Sequence, residues 1–169
     1  MLLWSGAASL GLAAQLRDDA VPTTADVGVV CFSPSAERVM EEASLGLQSI
    51  LIAENTSLEG IVRATSTWRV EATPQREDLT LVRWLEEVLY QCEVEQRFLV
   101  DCQIHIGQEL EAQVSWVNAA EVEREIEVKA VTRHQLECRA VAEGELIEGR
   151  DGIPDFEGPG WIARVIFDI

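Results

Sequence analysis

The chain has 169 residues, with 13 Lys and Arg against 30 Asp and Glu, a formal net charge of −17. At 47% hydrophobic and 25% charged residues it has the apolar content of a packed domain, which excludes disorder throughout. So acidic a chain is unsuited to gripping a phosphate backbone, which calls for clustered Lys and Arg, and no run reaches the about 20 apolar residues of a membrane span.

Residues 1–16, MLLWSGAASLGLAAQL, carry no charged side chain. A secretory signal has a similar apolar core but also a basic n-region, and here Arg17 falls on the wrong side of that core. Residues 1–20 therefore read as a poorly ordered N-terminal extension or a short segment packed on the domain, and residues 21–169 as one domain. Val27–Phe32 is a short valine-rich run, the pattern of a strand buried on both faces. Ser33-Pro34-Ser35 interrupts it, and Ser35 suits a helix N-cap. Ala36, Val39, Met40, Ala43, Leu47 and Ile50 then recur at helical steps, predicting an amphipathic helix of about four turns.

Ile61–Ala72 alternates apolar and polar residues, predicting a strand. A second helix follows Thr73-Pro74, with Asp78 as the expected cap and an apolar stripe of Leu81, Trp84, Leu85, Val88, Leu89 and Cys92. Phe98–Ile106 and Leu110–Trp116 alternate cleanly around Gly107-Gln108, which predicts a hairpin with a type II′ turn. Ile126–Ala142 repeats the alternation over a long span, with Thr132 and His134 breaking the apolar parity. Gly149–Gly160 reads as a Gly/Pro loop, and Trp161–Ile169 as a final strand. The predicted fold is α+β: a two-layer sandwich of a mostly antiparallel sheet and two main helices.

The four cysteines, Cys31, Cys92, Cys102 and Cys138, show neither Cys-x-x-Cys nor zinc spacing. They read as reduced, buried thiols, which places the chain in a reducing compartment such as the cytoplasm. No nucleophile elbow and no Gly-rich phosphate loop is present. His105 falls on a polar strand face, whereas the parity of His134 turns it toward the core, as a member of a polar network. Lys129, the only lysine, is expected to form a surface ion pair with a neighbouring glutamate.

Chemistry concentrates where two strand ends meet. Asp26 precedes the first buried strand and Asp168 closes the last. If those strands pair antiparallel, the two aspartates become neighbours, joined by the α-carboxylate of Ile169. Converging carboxylates repel unless a proton or a cation sits between them, and an all-oxygen set suits Ca²⁺ or Mg²⁺ far better than zinc or copper.

Four features, the last made of two segments, resemble the archease family in order. Thr24-Ala25-Asp26-Val27-Gly28 is similar to its Thr-Ala-Asp-(Ile/Val)-Gly opening, and Met40-Glu41-Glu42-Ala43-Ser44-Leu45-Gly46-Leu47 to its first helix. Trp84-Leu85-Glu86-Glu87-Val88-Leu89-Tyr90 resembles its Trp-Leu-x-Glu-Leu-Leu-Tyr run. Val128-Lys129-Ala130-Val131-Thr132-Arg133-His134 and Arg164-Val165-Ile166-Phe167-Asp168-Ile169 resemble its closing motifs. The chain departs from the pattern at Thr23, where members commonly have His, and at Arg133, where an aromatic is common.

The resemblance implies a protein cofactor rather than an enzyme. Archeases promote guanylylation of RtcB-type RNA ligases in tRNA splicing and RNA repair and so allow multiple turnover. It also implies a divalent cation, usually calcium, with Mg²⁺ or Mn²⁺ as alternatives, held by Asp26, Asp168 and Ile169. Lys129 and His134 are added, from their place in the sequence, as candidates for partner-facing residues or supports beneath that site. Two alternatives stand beside this reading. One is a small acidic metal-binding interaction module without a ligase-activating role. The other is a metal-dependent hydrolase that uses Asp26 and Asp168 to activate water.

Overall fold

The computed structural model describes residues 14–17, 26–149 and 153–169. The reading of residues 1–20 as an extension falls mostly outside these residues. Within it, Ala14–Arg17 (β1) forms a strand paired antiparallel with β2, Asp26–Ser33. After α1 (Ala36–Leu51) come β3 (Ala64–Glu71), α2 (Glu77–Glu93), β4 (Arg97–Ile106) and β5 (Glu109–Asn118). Short strands β6 (Ala130–Val131), β7 (Glu137–Val141), β8 (Leu146–Ile147) and β9 (Phe156–Glu157) lead to β10, Gly160–Asp168.

All the pairings are antiparallel, and the class is α+β as the periodicities imply. The strands divide into two main sheets. The larger runs β1-β2-β10-β6, with β7 also on β10, and the smaller runs β3-β5-β4. A ribbon of β8 and β9 stands apart. α1 packs on β2 and β10 of the large sheet and on β4 of the small one, while α2 lies against β3, β4, β6 and β7.

Parity decides what faces what. Val27, Val29 and Cys31 of β2 and Ala163, Val165 and Phe167 of β10 are buried in the main core with the helices. Val30, Phe32 and Ile162 point to the other face, where Val141, Ile147, Ile153 and Phe156 complete a second, smaller core. Phe156 stacks on Phe32 at 4.6 Å between ring centroids. β2 is thus apolar on both faces because both are covered, as its valine run implies. The predicted Gly149–Gly160 loop contains β9, and its apolar residues roof this second core.

The helices are held by polar as well as apolar contacts. Ser35 caps α1 by accepting a hydrogen bond from the Arg38 N–H at 3.3 Å. Gly46 lets α1 approach β2 closely: a Cβ there would stand 2.7 Å from Val29 Cγ1. The Trp84 indole, fully buried in α2, donates to the Ser44 hydroxyl of α1 at 2.7 Å. The N-cap of α2 is Arg76, not Asp78. Asp78 lies in the first turn and binds the Arg76 guanidinium through both oxygens at 2.9 Å, so the carboxylate serves the helix end from inside it.

Three further expectations are corrected. The third strand begins at Ala64, since residues 61–63 do not join it. The β4–β5 reversal is not a type II′ turn, because Gly107 does not adopt a positive φ. Ile106 lies opposite Leu110, which puts Gln108 at the apex, and the Gly107 N–H reaches the Glu109 carbonyl at 2.9 Å. The long alternating span 126–142 is broken: His134 and Gln135 form a turn, with Gln135 at φ +51°, and of this span only β6 and β7 pair with β10.

All four cysteines are buried and unpaired with one another. Burial pushes the Cys92 thiol up to about 11 and those of Cys102 and Cys138 to about 12, with Cys31 also well above the ordinary value. A folded state that keeps its thiols protonated loses stability relative to the unfolded chain once pH passes about 9, where the unfolded thiols ionise. A thiol reagent at pH 8 should therefore leave the folded protein nearly unlabelled and label all four cysteines in denaturant. Cys92, whose thiol lies 3.4 Å from the Arg124 guanidinium, should react first as pH rises.

Candidate functional site

The ladder between β2 and β10 runs from Trp161 opposite Ser33 to Asp168 opposite Asp26. The hydrophobic pattern fixes this register. A slip of one residue would turn Val27, Val29 and Cys31 out of the main core and bring the polar parity in. The same constraint that packs the core therefore sets Asp26 directly across from Asp168, where antiparallel partners stand about 4.5–5.5 Å apart at Cα.

Both aspartates have the parity of Val30, Phe32 and Ile162, so both side chains project from the face of the large sheet that turns away from the helices. Ile169 has the opposite parity, and its side chain packs against the main core, anchoring the chain end beside the pair. The backbone N–H of Lys129 donates to the Asp168 carbonyl at 2.8 Å, which ties the segment before β6 to the same corner. Asp26, Asp168 and Ile169 are all half-buried.

Among the described residues neither aspartate side chain has a hydrogen bond or an ion pair. Two half-buried carboxylates facing one another without a protein cation form a hard, oxygen-only donor set, which fits a divalent ion such as Ca²⁺ or Mg²⁺. It is a small set. Among the described residues no group of three or more His, Cys, Asp or Glu side chains stands ready to hold a metal. Further oxygens must therefore come from the Ile169 carboxylate, backbone carbonyls, water or a partner.

The other expected residues lie differently. His134 is exposed in the turn before β7, its N–H donating to Thr132 Oγ1 at 3.3 Å and its ring beside the Gln135 amide. The core-facing reading fails because the turn ends the alternation on which that parity rested. Lys129 is exposed, and among the described residues it forms no ion pair, so the expected pairing with a glutamate is absent. Its backbone, rather than its side chain, is what the structure ties to the acidic corner. Thr23 and Thr24 lie outside the described residues.

Sequence reasoning missed Arg164. It shares the face of the two aspartates, four residues back along β10, and its guanidinium lies 3.6 Å from Glu137, which also binds Arg139 at 2.7 Å. The signal was available, because Arg164 and Asp168 have the same parity in a strand otherwise rich in apolar residues. Among the described residues no helix is long and apolar enough to cross a membrane.

Residues 19–169 match the family model described as the archease protein family (MTH1598/TM1083). Proteins named archease from Methanosarcina mazei and Methanosarcina acetivorans are 29% and 27% identical over 154 residues. Each match spans 86% of this chain and 91% of the relative. The solution structure of Methanobacterium thermoautotrophicum protein 1598 superposes with a TM-score of 0.50 at 23% identity, covering 88% of this chain and 96% of that one. At that identity the likeness speaks for the fold.

Proposed function

The chain belongs to the archease family, and from that premise we propose that it is a protein cofactor of an RtcB-type RNA ligase, promoting guanylylation of the ligase and hence repeated turnover in RNA splicing or repair. The observation that carries the proposal is the pairing of Asp26 with Asp168 at the end of the β2–β10 ladder. In this reading Asp26, Asp168 and the Ile169 carboxylate hold a divalent cation, calcium or one of its hard relatives. The ion would offset most of the negative charge gathered at the corner.

The chain's own residues do the rest. The β2–β10 register holds the two carboxylates in place before any ion arrives, so little ordering is needed on binding. In this reading the end of the sheet face opposite the helices, where the two half-buried carboxylates lie, is the approach for the ligase. Arg164 is neutralised there by Glu137, so the local field stays acidic. A net charge of −17 steers the chain toward a ligase surface that must be basic to hold RNA and nucleotide, and it acts more on the rate of encounter than on final affinity. Its four thiols are buried, which withholds them from chemistry at the surface.

The test is GTP-dependent self-labelling of the cognate ligase with and without a substoichiometric amount of this chain. The expected result is faster labelling that weakens as salt rises. Labelling that is unchanged at every salt concentration would overturn the proposal.

A further inference from the structure

Among the described residues four large apolar side chains stand exposed, and two of them, Tyr90 at 47% and Val94 at 62%, lie one turn apart at the end of α2. Residues four apart on a helix are neighbours, so the two form one small apolar face. It looks away from the domain, since Val88, Gln91 and Cys92 on the other side of the same turns are buried. Exposed apolar residues scattered singly are ordinary, whereas adjacent ones rimmed by polar groups take the form of a contact surface.

Charge decides what that face can take. A helix C-terminus favours cations, yet the last turn of α2 has no basic residue and carries Glu93. Glu95 follows and accepts the Tyr90 phenol at 3.1 Å, and Glu86 lies exposed one turn before Tyr90. The two arginines at this end are already engaged, Arg124 with Glu93, and Arg97 with Gln91 and the Trp116 ring. Around Arg124 the acidity continues. Glu123, Glu125 and Glu127 are exposed at alternate positions while Val122 and Val128 are buried. Among the described residues none of those three carboxylates has a hydrogen bond or an ion pair. Their segment is tied to α2 by Arg124 and to the acidic corner by the Lys129 N–H on the Asp168 carbonyl. The five residues from Arg124 to Lys129 span at most about 18 Å, so the Tyr90/Val94 face and the Asp26/Asp168 pair belong to one end of the molecule.

We propose that this end of α2 is a docking surface for the ligase, a reading that rests on the function proposed above. The partner it fits is a basic surface bearing an apolar side chain. The apolar group covers Tyr90 and Val94, and the Lys or Arg around it meet Glu86 and the row of Glu123, Glu125 and Glu127. The contact anchors the chain, while the acidic corner at the same end meets the ligase separately.

The test compares ligase binding by titration calorimetry, and ligase self-labelling, for the wild type, Tyr90→Ala and Val94→Lys. Val94→Lys puts a cation at a helix C-terminus, so its Tm should hold or rise, while the same charge repels a basic partner. The expected result is a Kd for the ligase raised about tenfold in each variant. The concentration for half-maximal labelling should shift equally, with no change in the rate at saturation or in cation binding at Asp26 and Asp168. Wild-type affinity in either variant would overturn the docking surface and leave the cofactor reading standing. A wild type that binds the ligase without speeding its labelling would overturn the cofactor reading, and the Kd comparison would still decide the surface. A wild type that does not bind the ligase would overturn both.

Discussion

Asp168→Ala should abolish cation binding measured by calorimetry and with it the stimulation of ligase labelling, while the protein remains folded. The position is the last of the β10 ladder and its side chain is half-buried on the outer face, so removing it leaves the core contacts of Val165 and Phe167 in place. With only one side-chain carboxylate left at the corner, the site loses the charge that holds a divalent ion against its hydration. Asp26→Ala should behave alike, because the two residues face one another across a single rung. Asp168→Asn keeps the shape and one oxygen but drops the charge, and should fall between wild type and alanine in affinity. If both alanine variants stimulated the ligase as well as the wild type, the paired aspartates would have no part in the activity.

Trp84→Ala should be the most damaging single core substitution, destabilising the fold by about 3–5 kcal/mol in urea unfolding. That is a large share of the roughly 5–15 kcal/mol that holds a domain together. Trp84 is fully buried, sits 6.2 Å from the Trp68 ring, and bonds Ser44 of α1. The substitution therefore empties a large volume at the junction of both helices with the small sheet and leaves the Ser44 hydroxyl without its indole donor. Trp84→Phe separates the two effects. Keeping most of the ring but losing the donor, it should cost less than half as much. Equal losses for Phe and Ala would mean that the hydrogen bond, not the volume, dominates.

The acidic corner was legible in the sequence because hydrophobic parity is strong at both strands that build it. Val27–Phe32 and Trp161–Phe167 leave only one register that buries the right faces, and that register decides where Asp26 and Asp168 meet. Both helices were legible for the same reason, through stripes such as Leu81, Trp84, Leu85 and Val88. What escaped was set by backbone geometry rather than by pattern. The bulge at Val100 shifts the parity of β4, so Leu99, expected on the wet face, is buried beside Phe98. On β5, whose ladder with β3 is unbroken, Val117 is also buried, while Trp116 is half-exposed, its indole donating to Ser66 at 2.8 Å with Arg97 over its ring.

His134 was misplaced by a related cause. A left-handed residue at Gln135 makes a turn inside a stretch whose alternation reads as continuous. No residue type in that stretch forbids a strand, and only the pairing of β6 and β7 at separate places on β10 shows the break. The division of the strands into two sheets was likewise hidden, because alternation reports which face of a strand is apolar but not which strand lies beside it.

Anomalous diffraction from crystals grown with Mn²⁺ or Ca²⁺ tests the central claim most directly. The account predicts one strong peak between the carboxylates of Asp26 and Asp168, within coordination distance of both and of the Ile169 terminus. A peak elsewhere on the molecule, with the two aspartates bound only to water, would contradict it.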